Sequence, residues 1–227
     1  MKMLKPTCWM TAAVLAVAAL PQITRAAEDL VPLPLKLPAP AFKGTPKELP
    51  EGMDVEPLSD KPRPALMVPA GCVNLAAGIK PTSSDANASA TKLAKITDGN
   101  KDAYEEQIVL LRKGVQYVQI DLKQPSDLYA IVVWHAFDSS KVYRDVVVQI
   151  ADDAAFTKNV RTVFNNDKAN NDGLGAGKDR QYFETHEGKL IAVKGEKAAA
   201  VRFYSRGSTE SALNEYTEVE VWGKPAQ

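Results

Sequence analysis

The chain has 227 residues, of which 28 are Lys or Arg, 28 are Asp or Glu, and 45% are apolar. A chain of this length can bury enough surface to hold one or two domains together without disulfides. The formal charge of zero argues against nucleic acid as a partner, because phosphate binding depends on clustered Lys and Arg.

Residues 1–26 have the features of a secretory signal peptide. Lys2 and Lys5 precede an apolar stretch at 11–20, and residues 24–26 (Thr-Arg-Ala) form a small-x-small cleavage site. The apolar stretch is too short to cross a bilayer, so we expect no transmembrane span. An uncleaved anchor is the alternative. The sequence therefore predicts a secreted or periplasmic protein, or one held at the cell envelope.

Residues 27–70 are predicted to be a proline-rich linker. Ten of the 15 prolines lie between Val31 and Pro69. Proline at this density disfavours both helix and central strand and favours an extended, polyproline-like backbone. We interpret the segment as a stiff tether. The alternative is that it wraps onto the following domain through its apolar side chains, which are Leu33, Leu35, Leu37, Phe42, Leu66 and Met67.

Residues 71–225 are predicted to form an all-β domain. Apolar and polar residues alternate in several short runs, which places one face of each strand in a core and the other in water. These runs are 118–122, 146–150, 201–204 and 218–221, and the run 128–134 is apolar on both faces, as in a central strand. No window of a dozen residues has a helical apolar face. We predict an antiparallel β-sandwich (jelly roll) of about eight strands.

The order of six segments resembles the discoidin (coagulation-factor type C) domain and the related galactose-binding-like carbohydrate-binding modules of bacteria. The segments are 74–76 (NLA), 96–100 (ITDGN), 118–122 (VQIDL), 145–150 (DVVVQI), 201–205 (VRFYS) and 218–223 (EVEVWG). Members of this family are jelly rolls that bind glycans, phospholipid or protein through loops at one end. Animal members close their termini with a disulfide. This chain has no cysteine after Cys72, which points to the bacterial branch.

The resemblance implies a calcium loop. In the family this loop runs Asp-Gly-Asp-x-x-Thr followed by an aromatic residue, whereas the chain has DGNKDAY at 98–104 and lacks the hydroxyl. Calcium takes about six to eight oxygen ligands. The turn offers the carboxylate of Asp98 and the carbonyls of Lys95 and Asn100, and the resemblance adds Glu218. We predict a structural Ca²⁺ held by these four residues. The alternative is an ordinary Asp-Gly turn in which Asp98 bonds its own backbone.

Two loops are predicted to bind a ligand. A sugar site usually pairs an aromatic ring face with a few planar or charged groups that bond hydroxyls. The resemblance places both loops at the ligand-binding end. The predicted ligand-binding residues are Trp134, His135, Tyr143, Arg144, Arg206, Asn214 and Tyr216. Two alternatives remain open: Trp134 belongs to the core, and His135 and Arg144 form surface ion pairs with Asp138 or Asp145.

The sequence offers little for catalysis or nucleotide binding. It has two histidines, His135 and His186, and no His-x-x-x-His pair for zinc. The GLGAGK run at 173–178 lacks the first glycine and the hydroxyl residue of a phosphate loop. We predict an exported, non-catalytic module that recognises carbohydrate through loops at one end of a calcium-stabilised jelly roll. A protein-binding or cell-surface adhesion module without sugar specificity is the alternative.

Overall fold

The computed structural model describes residues 29–41, 52, 54–59 and 61–225. The predicted signal peptide, residues 1–26, lies outside this described part. Within the described residues, no helix is long and apolar enough to cross a membrane.

The described chain is almost entirely β-structure. Its strands are β1 (Leu30–Pro32), β2 (Met67–Pro69), β3 (Val73–Asn74), β4 (Thr82–Ser83), β5 (Val109–Leu111), β6 (Gln116–His135), β7 (Val142–Tyr143), β8 (Val147–Ala151), β9 (Arg161–Asn165), β10 (Tyr182–Phe183), β11 (Lys189–Ser205) and β12 (Asn214–Pro225). A short helix α1 (Ala90–Leu93) and a 3₁₀ helix (Ala94–Thr97) stand between β4 and β5. The predicted all-β fold is confirmed.

Eight strands form one antiparallel sheet in the order β3-β12-β6-β11-β8-β9, with β4 beside β6 and β5 beside β12. The long strands β6 and β11 pair along nearly their whole length, from Val133 opposite Lys189 to Gln116 opposite Ser205. The register shifts between Ala192 and Ala200. Because bulges of this kind bend a strand, one ribbon can serve both layers of a sandwich.

The two halves of the ribbon have different neighbours, and a single core lies between them. The half of β6 that ends at His135 pairs with β12, whereas β8 pairs with the second half of β11. Ile131 and Val133 from one half and Val118 and Ile120 from the other belong to the same cluster of buried side chains. The apolar positions of the alternating runs therefore lie in the core, as predicted.

The outer face of β6 is covered by the proline-rich segment, whose described parts (29–41, 52, 54–59 and 61–70) we call the strap. β1 and β2 of the strap pair with each other. Leu33 and Val68 are buried and pack with Cys72 and Ala130. The described strap thus packs on the domain as in the wrapping alternative, and it covers outward-facing apolar side chains of the 128–134 segment of β6.

Candidate functional site

Three loops meet at one rim of the sheet, and two of them carry the predicted ligand residues Arg144 and Arg206. They are residues 144–146 before β8, the loop 166–179 after β9, and residues 206–213 between β11 and β12. The Arg206 amide donates to the Arg144 carbonyl at 3.3 Å, and the Arg144 amide donates to the Gly207 carbonyl at 3.1 Å. The two predicted arginines are therefore neighbours, and both are exposed.

The third loop joins them through side chains. The Arg206 guanidinium donates to the Asn171 carbonyl at 3.0 Å and lies 3.5 Å from a carboxylate oxygen of Asp172. The Asn171 amide in turn donates to the Asp145 carboxylate at 3.0 Å. We call Arg144, Asp145, Asn171, Asp172 and Arg206 the rim cluster. Its members come from three separate loops, so each loop helps to hold the others.

The side chain of Asp172 lies inside this cluster. It has no exposed surface. Burial raises its pKa to about 6, and the nearby Asp145 and Asp167 carboxylates act in the same direction, against the attraction of Arg206. Asp167 is itself buried and accepts hydrogen bonds from the Asn171 and Asp172 amides, both at 2.9 Å. The Asn/Asp/Gly-rich loop is thus built around inward-facing carboxylates.

Beneath the rim, His135 and Tyr143 are interior residues rather than exposed ligand contacts. Both have 0% exposure, and their rings stack with centroids 4.3 Å apart. His135 Nδ1 lies 3.0 Å from a carboxylate oxygen of Glu184, which is also fully buried. The Tyr143 hydroxyl donates to Glu215 at 2.9 Å. Burial raises the pKa of the Glu184 carboxyl, and the His135 ring opposes this. These side chains support the rim from inside.

Asn214 and Tyr216 also lie in the interior. The Asn214 amide donates to the carbonyls of Arg112 at 2.7 Å and Gly114 at 3.0 Å, and its oxygen accepts from Ser205 and Gly207. The Tyr216 hydroxyl donates to the Phe203 carbonyl at 3.1 Å. Neither side chain has exposed surface. Asn214 therefore fixes the turn after β11 by satisfying backbone groups, which a surface ligand residue would not do.

Trp134 is part of the packing, in agreement with the alternative that the sequence left open. It is fully buried, and its indole N–H donates to the His186 carbonyl at 3.0 Å. Gly188, with φ of +63°, packs against the ring, and a Cβ there would be 2.6 Å from it. Of the seven predicted ligand residues, only Arg144 and Arg206 present side chains to solvent. The alternative of surface ion pairs with Asp138 or Asp145 is not observed among the described residues: His135 lies against Glu184, and Arg144 pairs with neither aspartate.

The four predicted metal-binding residues come together around the turn at Asp98. The Glu218 carboxylate accepts hydrogen bonds from the Gly99 amide at 3.2 and 3.3 Å. Burial raises the pKa of Glu218 to about 9; Lys101 opposes this, and Asp98 adds to it. Among the described residues no group of three or more His, Cys, Asp or Glu could hold a metal. Any cation here would rely on backbone carbonyls as well as carboxylates.

Gln107, at the centre of this turn, was not among the residues predicted from the sequence. Its side-chain nitrogen donates to the carbonyls of Lys95 at 3.2 Å and Asn100 at 3.0 Å, and it lies 3.2 and 3.4 Å from the two carboxylate oxygens of Asp98. Gln107 is 8% exposed. No sequence signal indicates this role, because Gln107 lies nine residues beyond Asp98, outside the family-like motif.

A cavity of about 940 Å³, not predicted from the sequence, lies between the strap and the sandwich. Phe137, Tyr182 and Phe183 line the sandwich side, and Arg63 lies on the strap side. The Arg63 guanidinium donates to the carbonyls of Gly188 at 2.8 Å and Glu187 at 2.9 Å. Charge-assisted hydrogen bonds, as well as its packed leucines, thus hold the strap against the sandwich.

Solved structures similar to this chain include several carbohydrate-binding modules. A fucose-binding module from Streptococcus pneumoniae is 17% identical, with a TM-score of 0.44, covering 66% of this chain and 96% of that one. A chitosan-binding module of a Paenibacillus chitosanase/glucanase is 18% identical, with a TM-score of 0.45 and coverage of 66% and 99%. A module of a Clostridium perfringens protein, solved with GlcNAc-α-1,4-galactose, is 16% identical, with a TM-score of 0.47 and coverage of 68% and 96%.

These structures are carbohydrate-binding modules, the class of protein to which the sequence resemblance points. No protein-family model matches the chain, and no curated protein matches it.

Proposed function

We propose that this protein is an exported, non-catalytic module that binds carbohydrate at the rim cluster. The observation that carries the proposal is the convergence of Arg144 and Arg206, from two different loops, into one exposed polar surface. The sequence resemblance to galactose-binding-like modules supports the ligand class. The proposed site is polar, because the aromatic residues predicted for it are buried.

The arginines are held in place before any ligand arrives. Arg144 donates to the Ser208 carbonyl, and Arg206 donates to the Asn171 carbonyl. A guanidinium carries five N–H donors in a planar fork, so each arginine keeps donors for sugar hydroxyls. A group that is already ordered loses little conformational entropy on binding. The interior network of His135, Tyr143 and Asn214 contributes this rigidity without touching the ligand.

Calorimetry or affinity electrophoresis against a glycan panel that includes galactose and polysaccharides tests the proposal. We expect the wild type to bind at least one member. Arg144→Ala and Arg206→Ala should each weaken binding by about tenfold, the loss of one hydrogen bond from a charged group. Arg161→Ala is the matched control, because Arg161 lies at the other end of β9, away from the rim. Absence of binding across the panel, or equal weakening by Arg161→Ala, contradicts the proposal.

We further propose a structural Ca²⁺ at the Asp98 turn. The donor set fits this ion: the Lys95 and Asn100 carbonyls and the Asp98 carboxylate surround one point, and the Glu218 carboxylate adjoins the same turn. These four residues would hold Ca²⁺, whose positive charge would offset the two carboxylates. Binding to the native state raises the melting temperature by mass action. An unchanged melting curve on adding a chelator contradicts this assignment.

Export rests on the features of residues 1–26. Cleavage after Ala26 would remove Lys2, Lys5 and Arg25 and no acidic residue, leaving a mildly acidic chain. Intact-mass measurement on protein from the source organism should show a mature chain beginning at Ala27. A full-length mass would instead indicate an uncleaved anchor.

A further inference from the structure

The side-chain amide of Gln107 lies where a bound cation would be expected. One nitrogen atom has four oxygen neighbours within 3.0 to 3.4 Å, namely the Lys95 and Asn100 carbonyls and both carboxylate oxygens of Asp98. An amide NH₂ group has only two hydrogens to share among them. Several oxygens around one central atom is the arrangement with which proteins hold calcium.

The backbone fixes Gln107 in this position. The amides of Gln107 and Ile108 donate to the Tyr104 carbonyl at 2.9 and 3.1 Å, which closes a turn just before β5. The Lys95 ammonium donates to the Glu106 carbonyl and ties this turn to the 3₁₀ helix. The side chain of Gln107 is directed beneath the Asp98 turn and is 8% exposed. The Gln107 side chain therefore brings partly positive N–H groups to the oxygens of the Asp98 turn.

The loop also lacks the threonine of the family motif, since Ala103 occupies that place. A cation at Asp98 would thus have one side-chain oxygen fewer than in the family pattern. The loop therefore differs from the family pattern in two ways that both reduce its need for a cation. It lacks one ligand for the cation, and it contains a donor that can take the cation's place.

We propose that the Gln107 amide is a built-in substitute for the cation, which closes the Asp98 turn without calcium and which calcium must displace to bind. The inference is independent of sugar binding and deepens the calcium proposal. It predicts that Gln107 makes the fold less dependent on calcium and lowers calcium affinity. Loss of the amide should leave the Lys95 and Asn100 carbonyls without this donor, while the Asn100 amide still donates to the Asp98 carboxylate at 2.8 Å, so that a cation becomes the link that can join all three residues at one point.

The test compares the wild type with Gln107→Ala, using the full mature chain and Ca²⁺ alone as the probe. In chelator, Gln107→Ala should melt at a lower temperature than the wild type, and calcium should restore most of the difference. By calorimetry, Gln107→Ala should bind Ca²⁺ about tenfold more tightly than the wild type, because no hydrogen bond to a charged group has to be broken first. Gln124→Ala, which changes an exposed glutamine of β6, is the matched control and should behave as the wild type.

Gln107→Glu provides a second variant if Gln107→Ala fails to fold without calcium. It replaces the donor with a carboxylate beside Asp98, so its melting temperature should depend on calcium more strongly than that of either other protein. A wild type that binds calcium as tightly as Gln107→Ala, or more tightly, overturns the inference, since Gln107 would then act as a ligand. Failure of calcium to shift any variant overturns it as well, because the oxygens would not form a cation site.

Discussion

The buried pair of His135 and Glu184 yields a prediction that separates a structural role from a ligand-binding role. Both side chains are 0% exposed, and the His135 Nδ1 lies 3.0 Å from the Glu184 carboxylate. His135→Ala removes the ring partner of this carboxylate, which keeps the backbone amide of residue 135 at 3.2 Å, and it also removes a ring that stacks on Tyr143. Removing a fully buried ring together with a buried hydrogen bond typically costs about 3 to 5 kcal/mol. That is a large part of the roughly 5 to 15 kcal/mol that stabilises a domain.

The measurement is thermal and urea-induced unfolding of His135→Ala. At about 2 to 4 °C per kcal/mol for a domain of this size, the melting temperature should fall by roughly 6 to 20 °C. His186→Ala is the control: only the His186 carbonyl is used by Trp134, so removing its imidazole should cost less than about 0.5 kcal/mol. Combining His135→Ala with Glu184→Gln should cost less than the sum of the two single changes. A His135→Ala protein that melts as the wild type but no longer binds sugar would refute the reasoning, because His135 would then contact the ligand.

Two further predictions concern the strap and the rim. Leu33→Ala should destabilise the protein by about 2 kcal/mol and speed proteolysis within the strap, because Leu33 is 8% exposed and packs on Val68 and Ala130. Leu37→Ala, at a residue that is 44% exposed, should have little effect; equal behaviour of the two variants would favour a free tether. At the rim, the pKa of Asp172 is raised from 3.8 to about 6 in the folded state. The protonated carboxyl therefore contributes its full share of the free energy of unfolding below pH 3.8, and this contribution is lost as the pH rises through about 6. Asp172→Asn should therefore gain free energy of unfolding relative to the wild type between about pH 4 and pH 7 in urea titrations; a constant difference across this range would rule out titration of Asp172.

Much of the fold could be predicted from local patterns. Alternation in runs such as 118–122 identifies a core face, because successive residues of a strand point to opposite sides of the sheet. The run 128–134 shows no alternation, which correctly indicated a strand covered on both faces. The same local pattern could not show which segment covers the outer face of this strand. The strap does so, and its prolines alone were equally compatible with a tether.

Side-chain exposure at the rim was decided by tertiary contacts. The sequence suggested that His135 lies in a surface loop with Asp138 and Arg144, whereas it is the last residue of the buried strand β6. Its actual partner, Glu184, is 49 residues away in sequence. Likewise, the sequence identified the Asp98 turn and Glu218 but not Gln107, whose amide reaches the turn only because of the way the chain folds before β5. Periodicity is a property of neighbouring residues, so it can be recognised in the sequence. Burial of a polar group depends instead on a partner that the fold brings from elsewhere in the chain.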